Sequence, residues 1–246
     1  MFKKKNNHYF FQTLQKYQNV VHGISTTSFG NMDYRFGNRV EVDKNRQHFF
    51  SLLNILQENV IEMDQVHGTN VVIVEKKDRG EVIPKTDSLI TNQKNIFLMI
   101  KTADCIPIIF FEPKKLVLAV CHAGFLGTVE KIFFHTIFAM INNFNCRTKD
   151  ILTIIGPSIC PQCFTVKNNF LTLLPEWKKF LKPRGTRTSV DFKNFTLENL
   201  KKIGIPTKNI HTTDICTFEN EEFYSHRRSQ FKSLPEDRFA TVVGLK

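Results

Sequence analysis

Lys101-Thr-Ala-Asp-Cys105-Ile-Pro107-Ile-Ile-Phe-Phe111-Glu-Pro-Lys-Lys115-Leu116-Val-Leu-Ala-Val-Cys121-His122 is the stretch that decides the fold. Two apolar runs, Ile106 to Phe111 and Leu116 to Cys121, flank Glu112-Pro113-Lys114-Lys115, a four-residue loop with proline where a type I turn accepts it. The stretch reads as a β-hairpin. Antiparallel pairing around the loop joins Phe111 to Leu116, and the same register carried outward places Cys105 opposite His122. Opposed residues hold their Cβ atoms about 5 Å apart. A thiolate and an imidazole at that separation can share a metal ion or act as nucleophile and base. Pro107 cannot donate to a ladder, so an edge or a bulge is expected there.

Both faces of the hairpin are apolar, with Ile109, Phe111, Leu116, Leu118 and Val120 on one side and Ile106, Ile108, Phe110, Val117 and Ala119 on the other. A sheet apolar on both faces must be covered on both. The expected class is therefore α/β: a layered sandwich of mixed β-sheets flanked by helices. Outward from the hairpin, Phe49, Phe50, Leu52, Leu53 and Leu56 have helical spacing, with Asp43 as the expected N-cap. Asn70 to Glu75 and Asn95 to Lys101 read as strands. A long helix is predicted over Thr128 to Asn143, with Val129, Ile132, Phe133, Thr136, Ile137, Met140 and Ile141 on one stripe. Ile151 to Ile155 is a buried strand ending at Gly156-Pro157. Asp191 to Ile203 is a second helix, and Phe239 to Leu245 a closing strand. No repeat, low-complexity tract or Gly/Ser linker marks a boundary, so residues 1–246 are read as a single domain.

A formal net charge of +11 favours anionic partners. The lysines are scattered and lack interleaved aromatic residues, which argues against nucleic acid and for a small anionic ligand. The longest apolar run, Cys105 to Phe111, is too short to span a bilayer. No apolar segment follows Lys3, Lys4 and Lys5 as a secretory signal would require. The expectation is a cytoplasmic protein without membrane attachment, whose six cysteines are free thiols or ligands rather than disulfides. Oligomeric state is not legible.

Three further segments stand beside the hairpin. Gln65-Val-His67-Gly68 puts a histidine at a turn entering a strand. His122-Ala-Gly124-Phe-Leu-Gly127 lets the backbone turn closely before the long helix. Ile155-Gly-Pro157 ends a buried strand. Cys160-Pro-Gln-Cys163 has the C-x-x-C spacing of a redox motif or a zinc knuckle, but no second such pair completes a four-sulfur site and no thioredoxin-like context surrounds it, so it reads as framework; Cys121 reads as core.

Taken with Thr102-Ala-Asp-Cys105, Asp214-Ile-Cys-Thr217, Phe223-Tyr-Ser225 and Arg227-Arg228, these segments make the chain resemble the YfiH family, also called the laccase-domain or polyphenol-oxidase (FAMIN-like) family. The resemblance implies a single-domain α/β sandwich related to CNF1-type cysteine hydrolases. It implies a metal ion, zinc in preference to copper, held by His67, Cys105 and His122. Three protein ligands and one open position distinguish catalytic from structural zinc. The implied activity is phosphorolysis of adenosine, inosine, guanosine or methylthioadenosine to base and ribose-1-phosphate, with adenosine deamination at the same site. Cys105, His122 and Asp104 are the candidate catalytic residues, Asp104 either accepting backbone hydrogen bonds at the turn or orienting a ligand histidine. Arg46, Lys101, Arg227 and Arg228 are the candidate phosphate contacts.

The chain departs from the family pattern around this centre. Phe125 and Leu126 replace a Trp-Arg pair, Thr27 stands where an arginine is usual, and Asp237 replaces a glycine before Arg238. Two other chemistries are weighed, a cysteine hydrolase using Cys105 and His122, as in peptidoglycan-precursor editing, and blue-copper oxidation, which the histidine pattern disfavours; a non-catalytic partner protein with a degenerate site is the remaining reading. Copper oxidation needs many histidines in His-x-His pairs, and this chain has eight histidines with no such pair.

Overall fold

The computed structural model describes residues 1–167 and 170–246. The hairpin forms the centre of a six-stranded sheet, its strands Ile106–Glu112 and Val117–Ala123 antiparallel with Phe111 opposite Leu118 and Pro107 opposite His122. The register differs from the expected one by two residues. Glu112 belongs to the first strand and folds its carboxylate over the turn, accepting the Lys114 and Lys115 amides at 3.4 and 2.7 Å. Leu116 closes the loop in the left-handed conformation, with φ 54°. Because side chains alternate with a period of two, a two-residue slip leaves each on its own face. Both apolar faces therefore stand as read, while Cys105 lies diagonally from His122 rather than opposite it.

Pro107 marks neither an edge nor a bulge. On the far side of its strand, the ladder with Leu152–Ile155 begins at Ile108, so no donor is missed there. The Gly156 amide instead donates to the Pro107 carbonyl at 2.9 Å.

The two faces of the hairpin enter different cores. Ile109, Phe111, Leu118 and Val120 meet Ile61, Leu98, Ile100, Phe239 and Val243 of a second, seven-stranded sheet. Ile106, Ile108, Phe110, Val117 and Ala119 are covered by Ile132, Phe133, Ile137, Met140, Trp177, Phe195 and Leu200. The outer face of the seven-stranded sheet, through Phe97, Met99 and Val242, is covered by Phe49 and Phe50 of the helix Arg39–Leu52. The result is four layers, helix, sheet, sheet, helix, and both sheets mix parallel with antiparallel neighbours. A separate three-stranded sheet, Thr165–Val166, Arg187–Val190 and Leu181–Arg184, lies beside the helical cover.

Local chemistry explains where other expectations shift. The helix Arg39–Leu52 is capped by Asn38, which accepts the Val40 and Glu41 amides; Asp43 lies inside the helix and accepts from the Tyr34 hydroxyl. The predicted long helix is two, Phe125–Val129 and Ile132–Phe144, separated where Lys131 turns left-handed at φ 60°. The predicted stripe still faces inward, with Ile132, Phe133, Thr136, Ile137 and Met140 buried. Phe192–Lys202 is capped by Asp191, and Phe239–Leu245 closes the chain as a strand. Among the described residues no helix is long and apolar enough to cross a membrane.

Candidate functional site

His67, Cys105 and His122 converge: their ligand atoms all lie within 4.8 Å of one another. His122 comes from the end of the hairpin and Cys105 from the turn that enters it. His67 arrives on a loop tied to the other sheet, because the Gln65 carboxamide bonds both the amide and the carbonyl of Lys101, each at 2.9 Å. The two imidazoles meet edge to face with centroids 4.8 Å apart. Gly124 permits this meeting, since a Cβ there would stand 2.5 Å from His67 Cδ2 and 3.3 Å from His122 Cε1. A Cβ at Gly127 would stand 2.8 Å from the Gly68 carbonyl oxygen.

Two aspartates aim the three side chains. Asp87, fully buried, sets Oδ1 2.7 Å from His122 Nδ1 and also accepts the amides of Val66, His67 and Gly68 at 3.2, 3.0 and 2.8 Å. Those three amides hold His67 in its left-handed conformation, φ 62°. With Nδ1 engaged, His122 has Nε2 left to offer. Asp104 takes the other of its two expected roles. Its carboxylate accepts the Thr217 hydroxyl at 2.6 Å and the Arg227 amide at 2.7 Å, and its carbonyl accepts the Ile159 amide at 3.0 Å. These bonds hold Asp104 at φ 88°, a conformation costly for a non-glycine residue, and so fix the turn that presents Cys105. The histidine-orienting role belongs to Asp87, which sequence reading missed. Its signal would have been the short buried strand Ser88–Thr91, and Leu89-Ile90 alone is too brief an apolar run to declare one.

The electrostatics favour charge separation. Burial would push the Cys105 thiol up, but the adjacent His122 imidazolium and hydrogen bonds from His122 and His67 bring it down to about 6. Burial would depress His122, yet the Cys105 thiolate and Asp87 raise it to about 9. Two imidazoles and a thiolate, one ring oriented by a buried carboxylate, form a donor set suited to a borderline-soft metal ion.

This triad opens into a cavity of about 330 Å³. Phe36, Phe125, Phe164 and Phe192 supply flat apolar walls; Arg35, Lys101, Arg227 and Arg238 supply positive charge. The candidate phosphate contacts divide. Lys101 and Arg227 line the cavity, although the Lys101 ammonium is paired at 2.6 Å with Glu62, and the Arg227 guanidinium bonds the Thr165 carbonyl at 3.0 Å over the Phe164 ring. Arg46 does not reach it: it is buried against Glu62 and the Met32 carbonyl. Arg228 does not reach it either, its guanidinium being spent on the carbonyls of Thr217, Phe218 and Phe223. Arg35, Arg238 and His226 line the cavity and were missed, because their segments carry no periodic pattern. Of the altered rim positions, Phe125 faces the cavity, and Thr27, Leu126 and Asp237 are not among its lining residues.

A family model described as multi-copper polyphenol oxidoreductase laccase matches residues 18–246. The chain belongs to this family. It is 29% identical to the purine nucleoside phosphorylase YlmD of Bacillus subtilis (strain 168), over 96% of this chain and 92% of that protein. It is 30% identical to the purine nucleoside phosphorylase YlmD of Geobacillus stearothermophilus, over 81% of this chain and 78% of that one. The crystal structure of the Bacillus licheniformis hypothetical protein YfiH superposes with a TM-score of 0.91 at 25% identity, over 100% of this chain and 99% of the other. Membership in the laccase family agrees with the resemblance read from the His67, Cys105 and His122 segments, and the mixed-sheet sandwich with the fold it implied.

Proposed function

We propose that the chain is a zinc-dependent purine nucleoside phosphorylase, with adenosine deamination at the same centre. The observation that carries this reading is that the His67, Cys105 and His122 ligand atoms open onto a cavity with aromatic walls and an arginine-lysine side. The names of the Bacillus and Geobacillus relatives support it. Zinc is preferred over copper because a multi-copper oxidase needs many histidines in His-x-His pairs, whereas this chain has eight histidines with none so paired and the triad gathers two of them.

Bound there, the ion would act as a Lewis acid and lower the pKa of a water at its open position. The chain's own residues do the rest. Phe125, Phe164 and Phe192 flank the purine, whose flat faces they match. Arg227, Arg238 and Arg35 hold phosphate beside the ribose. In phosphorolysis a phosphate oxygen forms a bond to C1′ as the C1′–N9 bond breaks, and the electron pair leaves with the base. The phosphate charge faces the positive charge growing on the ribose. In deamination water adds at C6 and ammonia leaves, a step that needs no phosphate. Asp87 keeps the His122 ring fixed throughout.

The test is a purine nucleoside panel run with and without phosphate, on the wild type and Cys105→Ala. Free base with ribose-1-phosphate, formed only with phosphate and lost in the variant, is the expected result. Base release that ignores phosphate would overturn the phosphorylase reading. A second reading, cysteine hydrolysis including peptidoglycan-precursor editing, draws on the depressed Cys105 thiol beside the raised His122. It requires metal-free protein to remain active until Cys105 is alkylated.

A further inference from the structure

The C-x-x-C segment acquires in three dimensions the partner that it lacks in sequence. Cys160, Cys163, Cys216 and Glu219 bring three sulfurs and a carboxylate oxygen within 4.8 Å of one another. The second pair is Cys216-Thr-Phe-Glu219, with the same spacing and a carboxylate in place of the fourth sulfur. Each pair sits on a tight turn: the Cys163 amide bonds the Cys160 carbonyl at 3.1 Å, and the Asn220 amide bonds the Cys216 carbonyl at 2.9 Å. The two turns are docked to one another through the bridge between Ser158 and Cys216 and through the Thr217 amide on the Ser158 carbonyl. The Cys160 amide points at the Cys216 sulfur from 3.3 Å, the kind of outer hydrogen bond that supports a metal-bound thiolate.

We propose that these four side chains form a second, structural zinc site. In a tetrahedral site with ordinary zinc–sulfur and zinc–oxygen bonds, sulfur and oxygen ligands stand about 3.6 Å apart. Glu219 Oε1 is 3.3 Å from the Cys163 sulfur and 3.9 Å from that of Cys160, values that straddle this separation. Four protein ligands leave no open position, so the site is closed and does no chemistry. Sulfur-rich donors select zinc over magnesium or calcium. Three thiolates and a carboxylate exceed the charge of one divalent ion, and the Lys193 ammonium, held by the Thr213 carbonyl at 2.8 Å, is the neighbouring cation that offsets part of the excess. The ion can enter, since Cys160 and Cys163 are half-buried and Glu219 is exposed.

The site fastens one wall of the catalytic cavity. The 159–164 segment carries Ile159 and Phe164 into that cavity, and Phe164 supports the Arg227 guanidinium at 5.0 Å. The 216–219 segment carries Thr217, the partner of Asp104. A clip between them holds both against the turn that presents Cys105.

The test is zinc content by elemental analysis and native mass spectrometry on protein purified without chelator. The wild type should hold two zinc ions, and Cys163→Ser and Cys105→Ala one each. Cobalt-substituted Cys105→Ala should keep an intense sulfur-to-cobalt charge-transfer band that Cys163→Ser reduces. Should Cys163→Ser fail to fold, Glu219→Gln changes only an exposed side chain. It should release one of the two ions to a chelator at least roughly 10 to 100 times more readily, since the loss of even an outer-shell partner costs that much. A wild type with a single ion, removed by Cys105→Ala and untouched by Cys163→Ser or Glu219→Gln, overturns the proposal. So does a disulfide joining any two of the three cysteines in place of the second ion. A wild type whose only ion disappears in Cys163→Ser would sink the catalytic-zinc reading and leave this one standing, so the two fail separately.

Discussion

Asp87 Oδ1 lies 2.7 Å from His122 Nδ1, and the same carboxylate gathers three consecutive amides from Val66 to Gly68. One buried side chain thus orients one histidine through its ring and another through its backbone. Asp87→Asn should fold and should lose affinity for the ion by about 10 to 100-fold, because the amide can no longer accept from every partner. Chelator competition measures it. Asp104→Asn, which holds the Cys105 turn and contacts neither imidazole, should leave the titration of the His122 ring unchanged where Asp87→Asn lowers it, as read by imidazole NMR; equal shifts in the two variants would refute the division of labour.

Cys105 in metal-free protein should be alkylated by iodoacetamide at a rate that climbs as pH rises through about 6 and then levels off. The sign follows from the thiolate being the nucleophile and from its partner His122 staying protonated up to about 9. In His122→Ala the midpoint should move upward, towards that of an ordinary thiol. A wild-type midpoint already at the ordinary value would show that the pair is not charge-separated.

The two adjacent arginines should behave in opposite ways. Arg227→Ala removes a cation that faces the cavity, and KM for phosphate should rise about 10-fold to 100-fold with little change in melting temperature, as for one lost hydrogen bond to a charged group. Arg228→Ala strips the bonds to the Thr217, Phe218 and Phe223 carbonyls and should lower stability instead. Steady-state kinetics and thermal melts distinguish the two.

Glu62 holds two buried cations, Arg46 and Lys101. Glu62→Ala leaves both without a counter-charge and should destabilise the fold by roughly 3–5 kcal/mol in urea unfolding. Such a loss would establish Arg46 as framework rather than a ligand contact.

His22 supplies a pH dependence with a definite sign. Its Nε2 accepts the Phe11 amide at 2.9 Å, so the folded protein needs it neutral, and burial lowers it to about 4 from 6.5. The unfolded chain binds the proton first as pH drops. Stability should therefore fall between about 6.5 and about 4, by at most about 3 kcal/mol from this residue. His22→Gln should flatten that part of the profile in acid unfolding.

How much of this was legible in the sequence depended on the range of the forces involved. The hairpin faces could be read because alternation survives a register slip, and the slip itself came from Glu112 capping its own turn, a side-chain choice no periodicity encodes. His67, Cys105 and His122 could be named because their segments are distinctive. Asp87 and the Cys216–Glu219 pair could not, since they act through contacts between segments far apart in the chain. Arg46 and Arg228 looked like ligand contacts because an arginine's partner is invisible until the backbone carbonyls and Glu62 are placed.

Gly124 separates what this protein can vary from what it cannot. A side chain there would drive the two imidazoles apart, while the neighbouring Phe125 sets its ring against those of Phe164, Phe170 and Phe192. Under the proposed function, selectivity and ion capture would thus fall to adjacent positions. Substitutions confined to those rings would then reshape the nucleobase pocket and leave the His67, Cys105 and His122 floor as it is.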